Sequence, residues 1–208
     1  MLVAGADVDE DSLAAALSGG DVAGVIVSPI AADGARLDEA AFADRAQSLV
    51  SRAQSAGVAA LVAYETRVAG RVGADGVHLE SLEARADAER LSRDMSVGVG
   101  NVNDRDVGLA VGEWPIDYVF FGPLHRDIRP EPHRRNLKLA AWWSEVVALP
   151  CVVMGGNVVE SVIDVAATGA DFVALQTAVF GADIEGAGEA VAQANRLLDE
   201  HAPPFTDD

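Results

Sequence analysis

Eight short apolar runs rich in β-branched residues, separated by alanine-rich stretches with helical spacing, constrain this chain most. The runs are Leu2–Ala4, Val22–Val27, Ala59–Tyr64, Gly76–Leu79, Ser96–Val99, Asp117–Phe121, Cys151–Met154 and Phe172–Leu175. Nearly every residue in each is apolar, the signature of parallel strands covered on both faces. Helices are expected over Asp11–Leu17, Leu37–Ala56, Thr66–Val72, Leu82–Arg93, Asp104–Val111, Leu139–Ala148, Val158–Thr168 and Glu185–Glu200. In the second, Phe42, Ala46, Leu49, Val50 and Ala53 recur on one face and Gly57 supplies a stop. In the seventh, Asn157 and Glu160 have capping-box spacing, and Gly169 follows as terminator. Eight alternations predict an α/β fold, a single (β/α)8 barrel with an abbreviated first strand, over an open sheet as the minor alternative. The chain has 208 residues, near the lower limit of about 200 for such a barrel. One domain over 1–202 and a frayed tail over 203–208 are expected.

An internal echo supports the repeat. Gly73–Leu79, Pro115–Phe121 and Gly169–Leu175 each run from a small turn through an Asp into a strand. Each Asp is expected at the bottom of the barrel, where a helix hands over to the next strand.

A formal charge of −18 argues against nucleic acid and anionic membranes as partners. No apolar run approaches the ~18 residues of a bilayer span, and MLVAGADVDEDS has no signal-peptide character. A cytoplasmic location is expected. Cys151, the single cysteine, reads as a small core hydrophobe.

Ligands of such barrels bind at the carboxyl ends of the strands. Gly155, Gly156 and Asn157 follow strand seven and lead into a helix, and Gln176 and Thr177 follow strand eight. Backbone amides there suit a phosphate, so a phosphorylated small molecule is the expected partner. The alternative is a tight turn and nothing more. Gly122–Lys138 carries Arg126, Arg129, Arg134, Arg135 and Lys138, five of the 15 fixed cations, with His125, His133 and three prolines. It reads as a lid that receives phosphate or diphosphate. It reads equally as a solvated loop, or as one that pairs with the acidic surface of a second copy in a homo-oligomer. The prolines disfavour helix there. His78 reads more readily as a packed, hydrogen-bonded strand-end histidine than as a ligand. Magnesium held by Glu65, Glu80 or Glu83 with substrate phosphates is the metal reading.

With these residues in view, the chain resembles the thiamine-phosphate synthase/TenI superfamily. GADGVHLE (Gly73–Glu80), VGVGN (Val97–Asn101), DYVFFGP (Asp117–Pro123), PCVVMGGN (Pro150–Asn157) and GADFVALQTAVF (Gly169–Phe180) carry the likeness, best over Ala59–Phe180. The resemblance implies a barrel that joins a pyrimidine diphosphate to a thiazole phosphate with magnesium. It implies Gly122, Gly155, Gly156, Asn157, Gln176 and Thr177 as substrate-binding residues, with Glu83 and Glu65 left as metal candidates. Several family positions are replaced. The segment after strand two has no cation, the Asn-Asp after strand three is Ala63-Tyr64, and the Gly-Gln and later Asp after strand four are Glu80-Ser81 and Glu83. The hydroxyl after strand five is Gly100, and the Thr-x-Thr-Lys after strand six falls near Asp127–Pro130. Three functions follow as expectations. One is a synthase in which Arg126, Arg129 and magnesium assist diphosphate departure. A second is a TenI-like isomerase with His125 moving a proton. The third is a non-catalytic binder of a phosphorylated metabolite or a partner protein.

Overall fold

The computed structural model describes residues 1–125, 128–181 and 184–202, without the side chain of Glu185. Eight strands are all parallel and lie in sequence order: β1 (Leu2–Ala4), β2 (Val25–Val27), β3 (Ala60–Ala63), β4 (Gly76–Leu79), β5 (Ser96–Val99), β6 (Tyr118–Phe121), β7 (Cys151–Met154) and β8 (Phe172–Ala174). Val3 donates its N–H to Leu175 O at 2.9 Å, and a Leu2–Leu175 bridge joins β8 back to β1. The sheet closes into a barrel, as the eight alternations require, and the open-sheet alternative falls.

The pleat divides the core in two. Val3, Ile26, Leu61, Ala63, Tyr118, Phe120, Val152, Met154 and Ala174 fill the barrel interior with Leu124. Their strand neighbours, such as Val62, Val77, Val119, Phe121 and Val153, face outward and pack under the helices. The helices are α1 (Glu10–Ser18), α2 (Glu39–Ser55), α3 (Thr66–Val72), α4 (Arg85–Leu91), α5 (Arg105–Gly112), α6 (Arg134–Val146), α7 (Val162–Ala166), α8 (Thr177–Phe180) and α9 (Ile184–His201). Asp9, Asp38 and Asp104 cap α1, α2 and α5 by accepting the N–H three residues on. Trp143 of α6 is fully buried, and its indole N–H donates to Leu149 O at 2.6 Å.

The three repeated aspartates sit at the bottom, each tied to the strand before its own. Asp75 Oδ2 accepts from Ala60 N at 2.8 Å, Asp117 Oδ2 from Val97 N at 2.7 Å, and Asp171 Oδ2 from Cys151 N at 2.8 Å. Each carboxylate satisfies a strand-start amide that the ladder leaves over.

Two expectations are corrected. Helix α6 begins at Arg134, five residues before the expected Leu139, because the last loop proline is Pro132 and His133 caps the helix: its Nδ1 accepts from Arg135 N at 3.2 Å. The seventh helical segment opens as a 3-10 turn over Val159–Ser161 with no side-chain cap. Glu160 is no capping-box partner; its carboxylate accepts from Gln193 on α9 at 2.8 Å. The expected frayed tail 203–208 lies outside the described residues.

Candidate functional site at the carboxyl end of the barrel

The turns after β7 and β8 meet. Gly155 donates its N–H to Ala174 O at 2.9 Å, and a side chain on Gly155 would strike Leu175. The amides expected to stand open toward an anion are nevertheless taken. Gly156 N–H goes to Ser161 Oγ at 2.9 Å, and Asn157 N–H to Arg129 O at 2.8 Å. The β6–α6 loop lies directly on the turn: a Cβ at Gly156 would fall 1.9 Å from Pro130 O and 2.9 Å from Arg129 O. Only glycine admits a second backbone this close.

Gln176 is buried, and neither atom of its side-chain amide has a hydrogen-bond partner among the described residues. Leaving such a group unpaired costs about 1–3 kcal/mol, an outlay that a ligand can remove. Thr177 opens α8 beside it. Gly122 ends β6 at φ +125°, and a side chain there would press on Met154 Cβ at 2.7 Å. Next to it, a pocket of about 270 Å³ is lined by Pro123, Ile128, Arg129, Glu131, His133, Asn136, Met154 and Gly155.

His125 is partly buried, and among the described residues its Nδ1 has no hydrogen-bond partner and it lines neither this pocket nor the second one described below. Arg129 is exposed at the first pocket. Arg126 lies outside the described residues.

Among the described residues the three candidate carboxylates do not join in one cluster. Glu65 is held by Arg36 Nη2 at 2.6 Å, Glu80 by His78 Nε2 at 2.9 Å, and Glu83 is exposed on the turn before α4. Among the described residues no three His, Cys, Asp or Glu side chains converge. Octahedral magnesium needs several oxygens around one point. Among the described residues, Glu65, Glu80 and Glu83 do not supply such a cluster by themselves.

A second cavity, about 180 Å³, is lined by Glu80, Asn101, Val102, Asn103, Gly122, Pro123 and Arg135. Behind it lies a hydrogen-bonded chain. His78, wholly buried, meets Tyr118 OH through Nδ1 at 2.9 Å and Glu80 Oε1 through Nε2 at 2.9 Å. Burial pushes the Tyr118 phenol far above its ordinary range, and the neighbouring Glu80 and Asp117 add to the shift. The phenol therefore stays protonated, and in the tautomer with the ring proton on Nε2 it donates to Nδ1 while Nε2–H donates to the carboxylate. His78 is thus a packed, hydrogen-bonded strand-end histidine, as the sequence suggests, with Tyr118 and Glu80 as the partners. The spacing His-x-Glu was its available signal, since residues two apart across a strand share a face.

With that geometry in place, comparison with known proteins decides the family. A family model described as thiamine monophosphate synthase matches residues 2–179. The chain belongs to this family. It is 31% identical over 194 residues to a thiamine-phosphate synthase of Hyphomonas neptunium, covering 92% of this chain and 87% of that one. A synthase of Rhodospirillum centenum is 33% identical over 193 residues, covering 90% and 89%. The solved thiamine phosphate pyrophosphorylase of Pyrococcus furiosus superposes with a TM-score of 0.76 over 96% of this chain and 95% of its own, at 20% identity. Family membership places the chain in thiamine biosynthesis, and the relatives named here are thiamine-phosphate synthases, which are transferases. Among the described residues no helix is long and apolar enough to cross a membrane.

Proposed function

We propose that this family member binds a phosphorylated heterocycle of the thiazole-phosphate class at the loops after β7 and β8. The phosphate displaces the β6–α6 loop rather than entering an open cradle. The observation that carries the reading is the contact between Asn157 N–H and Arg129 O at 2.8 Å. A carbonyl oxygen there accepts the hydrogen bond that a phosphate oxygen would accept, at the start of a helical segment that favours anions. Release of the loop frees this amide, while Gln176 offers an unpaired amide at the next strand end. Arg129, on the displaced segment, is a cation able to follow the phosphate outward.

The reading separates ligand binding from diphosphate chemistry. The glycine turn that suits a monophosphate is kept, whereas Glu65, Glu80 and Glu83 are engaged or apart. Losing such electrostatic contacts costs about 3–4 kcal/mol each in the transition state. Purified protein is incubated with the pyrimidine diphosphate, the thiazole phosphate and magnesium, and released diphosphate is measured. The reading predicts no release above the protein-free control. Release at the rate of a working synthase would favour the transferase reading, with Arg126 and Arg129 in the diphosphate role.

A further inference from the structure

The buried chain Tyr118–His78–Glu80 ends in a carboxylate on the wall of the 180 Å³ cavity. Strand β5 is shaped around it. A Cβ at Gly98 would fall 2.0 Å from the Tyr118 ring, and one at Gly100 would fall 2.3 Å from Glu80 Oε1 and 2.8 Å from His78 Nε2. The strands on either side of β4 end in strained residues: Tyr64 has φ +66° and Asn101 has φ +58°. Left-handed backbone at non-glycine residues is uncommon and collects at working sites. Arg135 lines the same cavity, its Nη2 donating to Asn103 Oδ1 at 3.1 Å, and Asn103 is tied in turn to Asn101. One carboxyl group, one guanidinium and two carboxamides therefore share a small cavity.

We propose that Glu80 is a general base that moves a proton on a small anionic carbon acid, with the substrate's carboxylate or phosphate met by Arg135. His78 and Tyr118 are positioning residues. Tyr118 donates to His78 Nδ1, which fixes the tautomer, and His78 Nε2–H aims the carboxylate. Glu80 takes a proton from carbon α to a carbonyl, and the C–H electron pair passes into the enolate. A proton then returns from Glu80 to carbon, so no oxidant, reductant or second substrate is consumed. The inference is independent of the function proposed above, since neither Gly155 nor Gln176 takes part.

The test is hydrogen–deuterium exchange in D2O, followed by proton NMR, with two probes: pyruvate for a carboxylate anchor and dihydroxyacetone phosphate for a phosphate anchor. Wild-type protein is expected to exchange the α-hydrogens of at least one probe faster than buffer alone, and the probe chosen identifies the anchor. Glu80→Gln should lower the rate about 100-fold or more. Tyr118→Phe should lower kcat with KM unchanged, and Arg135→Ala should raise KM. Glu80→Asp, which keeps the charge but draws it back by one methylene, serves if the Gln variant does not fold, and it too should lose exchange. Exchange of neither probe above buffer overturns the proposal. So does a folded Glu80 variant working at the wild-type rate.

Discussion

Asn157 and Arg129, 28 residues apart in sequence, are joined backbone to backbone by a 2.8 Å hydrogen bond that closes the turn after β7 with the chain's own loop. The carboxyl end of the barrel is therefore organised by two self-made contacts. The loop rests on Gly156, and the Glu80 carboxylate rests on His78.

Gly156→Ala tests the first contact. The added methyl would overlap Pro130 O at 1.9 Å, and both neighbours are backbone, so the loop must lift or the turn must distort. Overpacking of this kind costs roughly 1–3 kcal/mol. A chemical denaturation midpoint reads the loss. Amide exchange along residues 128–131 should accelerate if the loop is what yields.

Trp143→Ala should be far more damaging. The ring is fully buried, packs against Phe121 at 5.9 Å between centroids, and loses its hydrogen bond to Leu149 O. A loss of about 3–5 kcal/mol is expected from equilibrium unfolding.

The repeated aspartates should each contribute modestly. Removing the Asp117 carboxylate leaves Val97 N without its 2.7 Å acceptor. Asp117→Ala is expected to cost about 1 kcal/mol, since the carboxylate is exposed and water can approach the freed amide. Asp171→Ala should behave alike through Cys151 N.

Cys151 should be inert in the folded protein. Burial pushes its thiol from 9.0 up to about 12, so it stays protonated and shielded at neutral pH. A thiol reagent should label it only at the rate of unfolding. The folded value lies above the unfolded one, so the group's contribution is fully present below pH 9. Stability is then lost as pH rises through about 12. A Cys151→Ala variant should lose less stability over that window than the wild type.

Most of the fold was legible because strand burial on both faces leaves a plain mark. Runs such as Gly76–Leu79, Ser96–Val99 and Cys151–Met154 are strands with the ends read from sequence. Helix α6 reads short in the sequence because the prolines of Gly122–Lys138 disfavour helix, yet the last of them, Pro132, stands two residues before its start. Of the candidate site, the meeting of Gly155 with β8 followed from strand order alone. The plug on Gly156 did not, since a backbone contact across 26 residues from Pro130 leaves no trace in residue type. Glu80 was read as a metal candidate because its partner, His78, lies inside the barrel where composition says only that a histidine is buried.

The central claim is that the turn after β7 exchanges its own loop for a phosphate. Isothermal calorimetry of thiazole phosphate into the wild type and into Gly156→Val, with and without magnesium, tests it most directly. Saturable binding to the wild type at either magnesium level, lost in a folded Gly156→Val, is the predicted result. No binding to the wild type, or equal binding to both proteins, would contradict it.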